Sequence, residues 1–268
     1  MESQKLNVDG IDIAYIRRGK GLPLFLIHGY PLDHSIWDQV APLLVDDFDL
    51  IIPDLRGFGG SDLMEADQSI VDYASDLAGL MTHFRIKKAI LSGHSMGGYV
   101  ALAFAREYPG RVSGLALVSS QAAADSPGRK EGRYATAQQV MEEGVGSVVE
   151  SMTPKLSADP KVQAFVRGLI AQQQRLAISS ALHAMAERPD STDILSSFRF
   201  PVLIIHGDED ALIPVERARE MKAALGSARY AELPGVGHMP MLERPEAVAQ
   251  ALHFFVNVKL KWIKLLES

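Results

Sequence analysis

Five short apolar runs punctuate the chain, and each ends at turn-forming or polar residues. Leu24-Phe25-Leu26-Ile27 stops at His28-Gly29, and Leu50-Ile51-Ile52 at Pro53-Asp54. Ala89-Ile90-Leu91 stops at Ser92-Gly93, Leu115-Ala116-Leu117-Val118 at Ser119-Ser120, and Val202-Leu203-Ile204-Ile205 at His206-Gly207. Short continuous runs without polar alternation suit strands buried on both faces of a parallel sheet. Between them, the stretches 69–84 and 96–107 have helical spacing, the second stopped near Pro109. This rhythm predicts a doubly wound α/β domain with a mostly parallel central sheet and helices on both faces. Segments 4–9 and 11–18 meet at Asp9-Gly10 and predict an antiparallel hairpin on one sheet edge. A last strand is expected at 228–233, ahead of a final helix.

The rhythm breaks between about 121 and 197. Met141, Val145, Val148, Val149 and Met152, then Phe165, Leu169, Ile170, Leu176, Ile178 and Leu182, follow a helical pattern punctuated by Pro127, Pro154, Pro160 and Pro189. This predicts a helical cap at 121–197 inserted into a core made of 1–120 and 198–268. Its expected place is over the C-terminal edge of the sheet, where ligands bind in open α/β folds. Met141, Met152 and Met185 from the cap, with Leu212 and Met239 on flanking loops, are expected to line an apolar substrate pocket.

Composition narrows the chemistry. The chain has 268 residues, 47% hydrophobic and 22% charged, which is globular usage. It contains no cysteine, which excludes disulfides, thiolate metal sites and cysteine nucleophiles together. A net charge of −6 gives no reason to expect a nucleic-acid partner. No run approaches the roughly 18 apolar residues of a membrane span, and the first ten residues lack the basic-then-apolar order of a secretory signal. The expectation is a soluble cytoplasmic protein. The segment 259–268, with its mixed lysines and apolar residues, reads as a helix extension packed on the body. The sharper readings for it are a homodimer contact or weak membrane-surface binding.

The candidate chemistry centres on Gly93-His94-Ser95-Met96-Gly97-Gly98, which follows an expected strand and opens an expected helix. In that context G-x-S-x-G describes a nucleophile on a tight strand-to-helix turn, with glycines where side chains would collide. A serine hydroxyl needs a base, and the base needs a group that orients it. His238 is favoured as base because it lies in a glycine-rich loop between the last strand and last helix. His28, His94 and His206 sit at strand ends and read first as structural, while His34, His83, His183 and His253 have no supporting context. Asp208, Glu209 and Asp210 compete as orienter. Asp210 is favoured because it lies past the turn, with Pro214 opening the next helix, and Asp208 is second. The order Ser95, Asp210, His238 differs from that of the two main serine-protease folds.

These motifs, with Leu26-Ile27-His28-Gly29-Tyr30-Pro31 and Pro53-Asp54-Leu55-Arg56-Gly57, resemble the α/β-hydrolase superfamily over about residues 5–257. Within it the chain is most similar to small cap-bearing serine carboxylesterases, and next to enol-lactonases and cofactor-free perhydrolases. The resemblance implies hydrolysis of short to medium-chain carboxylic esters through an acyl-enzyme, with no metal and no organic cofactor. It further implies an oxyanion hole formed by the backbone N–H groups of Tyr30 and Met96, and a scaffolding role for the Asp54 loop. Related dehalogenases and epoxide hydrolases carry aspartate where this chain has Ser95, which disfavours those activities. The reading from another class is a non-catalytic ligand-binding receptor on the same fold.

Overall fold

The computed structural model describes residues 3–64 and 68–258. The segment 259–268, whose packing or association was expected from its pattern, lies outside the described residues.

Eight strands form one sheet in the order β1-β2-β4-β3-β5-β6-β7-β8. β1 (Gln4–Val8) and β2 (Ile11–Arg18) form the expected antiparallel hairpin. Its turn residues, Asp9 at φ 49° and Gly10 at φ 91°, have the paired positive angles of a two-residue turn matched to strand twist. β3 (Leu22–Ile27), β4 (Phe48–Pro53), β5 (Ala89–His94), β6 (Val112–Val118), β7 (Val202–Gly207) and β8 (Arg229–Leu233) pair in parallel. The apolar runs of β3 and β7 are almost wholly shielded from solvent, which explains their lack of polar alternation.

Two helices follow the strands as expected. α1 (Ile70–His83) starts at a capping box, in which Ser69 and Asp72 satisfy each other's backbone N–H groups. α2 (Met96–Glu107) packs on β5 and β6 and stops before Pro109. Between β6 and β7 lie the helices α3 (Pro127–Glu143), α4 (Gly146–Leu156), α5 (Pro160–Gln172) and α6 (Arg175–Glu187), then the short α7 (Thr192–Leu195). After β7 come α8 (Val215–Ala224), α9 (Pro240–Glu243) and α10 (Pro245–Leu252), with α8 and α10 against β7. Among the described residues no helix is long and apolar enough to cross a membrane.

Parallel pairing has a direct consequence for the site. β3, β5, β6, β7 and β8 all run one way, so their C-terminal ends share one sheet edge. The chain leaves β6 for the helical insertion at that same edge. Ser191 N–H to Ala122 C=O (3.0 Å) and Arg188 Nη2 to Ala123 C=O (2.7 Å) tie the insertion's end back to its beginning.

Candidate active site

Ser95 joins β5 to α2 with φ 52° and ψ −113°, a left-handed conformation strained for a residue with a side chain. Neighbouring segments hold it there. Its N–H donates to Val118 C=O (2.9 Å), and its own C=O accepts from Ser120 Oγ (2.8 Å). At Gly97 a Cβ would stand 2.5 Å from the His28 carbonyl oxygen, so only glycine lets α2 start this close to β3. The Ser95 side chain makes no capping bond to α2 and lines a cavity of about 730 Å³.

Asp210 and His238 come together although 28 residues separate them. His238 Nδ1–H donates to Asp210 Oδ2 at 2.7 Å, with both side chains almost wholly buried. Asp210 Oδ1 accepts the backbone N–H groups of Leu212 and Ile213, each at 2.9 Å. His206 Nε2 lies 3.3 Å from Asp210 Oδ2 and donates to Ile213 C=O at 2.9 Å. Burial alone would raise the Asp210 pKa, but His238, His206 and the backbone donors outweigh it and hold the carboxyl far below its ordinary range. Asp208, the second candidate orienter, is turned elsewhere and accepts the Gly235 N–H at 2.7 Å.

The backbone of His238 is held from two sides. Its N–H donates to Leu156 C=O at the end of α4 (3.1 Å), and its C=O accepts His94 Nε2–H (2.8 Å). Burial keeps His94 uncharged, its pKa well below the usual imidazole value, which suits a ring that donates through Nε2 alone. At Gly29 a Cβ would stand 2.6 Å from His94 Nδ1, so that glycine leaves room for the ring. His94 and His206 thus brace the two halves of the Asp210–His238 pair, a role their strand-end positions did not reveal.

Tyr30 and Met96 are both buried at the strand ends beside Ser95. The Tyr30–Pro31 peptide is cis. Leu32 N–H closes the loop onto Gly29 C=O, and Gly98 N–H and Tyr99 N–H close onto Ser95 C=O. The N–H groups of Tyr30 and Met96 take no part in those bonds.

The cavity departs from the pocket expected from sequence. Met152, Met185 and Leu212 line it, but Met141 and Met239 do not. α3 turns Arg129, Gly132, Arg133, Thr136 and Gln139 to the cavity. Met141 lies nine residues past Gly132, about half a helical turn out of phase, and is 38% exposed on the opposite face. Met239 is fully buried in the core at the start of α9. The missed residues are the polar ones, Arg129, Arg133 and Lys155 among them. Charge on a helix usually marks a solvated face, and no local signal distinguished these positions.

His34, without context in the sequence, bonds Asp54 Oδ1 through both its N–H (2.8 Å) and Nδ1 (2.7 Å). Asp33, His34 and Asp54 place three ligand-type atoms within 4.8 Å, the one such group among the described residues. Its atoms are already committed: Asp33 accepts the Ser35 N–H and Asp54 Oδ2 the Gly60 N–H. The group braces the loop after β4.

Comparisons with known proteins bear on the family and the fold. The family model for the alpha/beta hydrolase fold matches residues 23–245. The structure is similar to a thermophilic esterase from Thermogutta terrifontis with malate bound, at 38% identity and TM-score 0.91, covering 96% of this chain and 98% of that one. It is also similar to the enol-lactonase from Burkholderia xenovorans, at 25% identity and TM-score 0.88, covering 95% of this chain and 100% of that one. A non-heme haloperoxidase from Rhodococcus erythropolis is 29% identical, covering 86% of this chain and 90% of its own length. A strained serine turn, a parallel sheet whose loops converge on it, and a family match across most of the sequence lead to one conclusion: this chain belongs to the α/β-hydrolase fold family.

Proposed function

We propose that the chain is a serine carboxylesterase for short to medium-chain esters, with α3–α6 acting as a cap over the site. The observation that carries this reading is Ser95 on its strained turn at the cavity wall, together with the buried Asp210–His238 pair at the same sheet edge. The Ser95 oxygen attacks the ester carbonyl while His238 Nε2 takes the hydroxyl proton. Asp210 holds Nδ1–H in place and stabilises the imidazolium that forms. The carbonyl electrons move onto oxygen, where the Tyr30 and Met96 N–H groups stabilise the developing charge without rearranging. Collapse of this intermediate breaks the bond to the leaving alcohol, which takes the proton from His238. A water molecule then repeats the sequence on the acyl-enzyme, giving its proton to His238 and releasing the acid as Ser95 regains its own.

The same groups open a lactone, whose leaving alcohol stays tethered, or pass the acyl group to peroxide. Similarity to an enol-lactonase and a haloperoxidase supports keeping both as the second reading. A panel of esters, lactones, and peroxide with acetate separates them by kcat/KM. The test of the shared mechanism is Ser95→Ala on p-nitrophenyl butyrate. Turnover should fall by at least about 10³-fold, and undiminished turnover refutes the proposal.

A further inference from the structure

The cavity wall supplied by the helical insertion is cationic. Arg129 and Arg133 from α3 and Lys155 from α4 line it with Ser95. Their charges are not balanced locally. Asp125, whose side chain is wholly buried, faces three guanidinium groups: Arg188 Nη1 at 2.9 Å, Arg129 Nε at 3.5 Å and Arg133 Nε. Asp190 also attracts Arg188, so two carboxylates face three guanidiniums and one positive charge is left over, to which Lys155 adds a second. Arg188 is not part of the cavity wall. It stacks 4.0 Å over the Tyr99 ring and donates to the carbonyls of Met185 and Ala123. The surplus therefore falls to Arg129 and Arg133, which Asp125 engages through Nε and whose other contacts, Arg129 Nη2 to Leu212 C=O (3.3 Å) and Arg133 Nη1 to Met185 Sδ (3.3 Å), are to uncharged groups. Lys155 has no ion-pair partner among the described residues. Glu150, the acid lining the cavity, is paired with Arg167. The Tyr30 phenol oxygen, buried and without a hydrogen-bond partner among the described residues, lies within the electrostatic reach of Arg133.

An unbalanced cationic wall beside a nucleophile selects for negative charge on the substrate. Guanidinium groups bind carboxylates in planar, paired hydrogen bonds, and partial burial strengthens the attraction. We infer that the cavity takes an ester that also carries a carboxylate, such as the monoester of a short dicarboxylic acid. Arg129, Arg133 and Lys155 hold that carboxylate while the ester carbonyl faces Ser95. This assignment rests on the proposed serine-esterase reading.

The test compares monomethyl glutarate with the neutral methyl pentanoate on the full chain, reading kcat/KM at low salt. The charged ester should be favoured at least tenfold, and about 0.5 M NaCl should shrink the ratio by screening. Arg133 is a poor choice for substitution because its loss disturbs the buried Asp125. Lys155→Gln leaves Asp125 untouched, and Arg129→Gln removes only its longest contact, at 3.5 Å; the two together should lower the ratio several-fold, with Arg133 keeping the remainder. A wild-type ratio near or below one, or no turnover of the charged ester, overturns the inference. If methyl pentanoate is still hydrolysed in that event, the esterase reading stands. If Ser95→Ala turns over both esters at the wild-type rate, it is the esterase reading that fails.

Discussion

The two walls of the cavity are built by different means. On the sheet side, Ser95, Asp210 and His238 occupy loops at strand ends, and backbone bonds fix their positions: Ser95 N–H to Val118 C=O, Leu212 and Ile213 N–H to Asp210, and His238 N–H to Leu156 C=O. On the insertion side, Arg129, Arg133 and Met185 project from helices, and their place depends on how those helices are rotated and on one buried ionic cluster. The first wall tolerates almost no chemical change but has a rigid frame. The second can change its chemistry through side chains alone, so under the proposed mechanism the cavity lining can vary while Ser95, Asp210 and His238 keep their positions. The walls meet at His238, held by α4 on one side and by His94 on the other.

Substitutions can break this contrast, and the largest effect belongs to the sheet side. Asp210→Asn should keep the fold yet lower kcat on p-nitrophenyl butyrate by about 10⁴-fold, because an amide no longer fixes the imidazole tautomer. A loss below tenfold would remove Asp210 from the mechanism. Next comes the ionic cluster. Asp125→Asn leaves Arg188 buried without its anion and should cost about 3–5 kcal/mol in urea unfolding. A cost under about 1 kcal/mol would mean that the insertion's wall is organised by something other than this cluster.

A smaller effect is expected at the loop after β4. The hydrogen bond to Asp54, aided by its charge, raises the His34 pKa above the usual imidazole value despite partial burial. A raised folded-state pKa contributes stability that is fully present below about pH 6.5 and lost as pH rises through the elevated value. His34→Gln should therefore destabilise the protein by about 1 kcal/mol near pH 5.5, with part of that difference gone at pH 9. Urea midpoints at the two pH values check this, and a difference that grows with pH contradicts it. The smallest effect is expected at Met141, exposed on the outer face of α3. Met141→Ala should change stability by less than about 0.5 kcal/mol and leave kcat/KM unchanged.

The same contrast explains what was legible in the sequence. The strands could be read because parallel pairing buries both faces and forces uninterrupted apolar runs such as Leu24–Ile27. The serine turn could be read because its backbone admits only glycine at Gly97, and a backbone requirement leaves a mark that does not depend on distant residues. Asp210 stood out from Asp208 by its place past the turn, and the structure puts it against His238. The insertion's wall could not be read in this way. Its helical spacing was visible, but a helix does not reveal in its own sequence which face meets a cavity. Arg133 faces inward beside Asp125, a partner on the preceding loop that neutralises part of its charge. His94 and His206 were hidden for a related reason, since their partners, the His238 carbonyl and the Asp210 carboxylate, lie on loops far along the chain.

In the proposed mechanism Ser95 becomes covalently acylated. An alkyl fluorophosphonate probe, which phosphonylates an activated serine and releases fluoride, tests it most directly when the site of attachment is read by peptide mass spectrometry. One adduct per chain is expected, on the peptide containing Ser95, formed far more slowly in Asp210→Asn and not at all in Ser95→Ala. An adduct on another residue, or ester hydrolysis by a protein that the probe leaves unmodified and fully active, would contradict it.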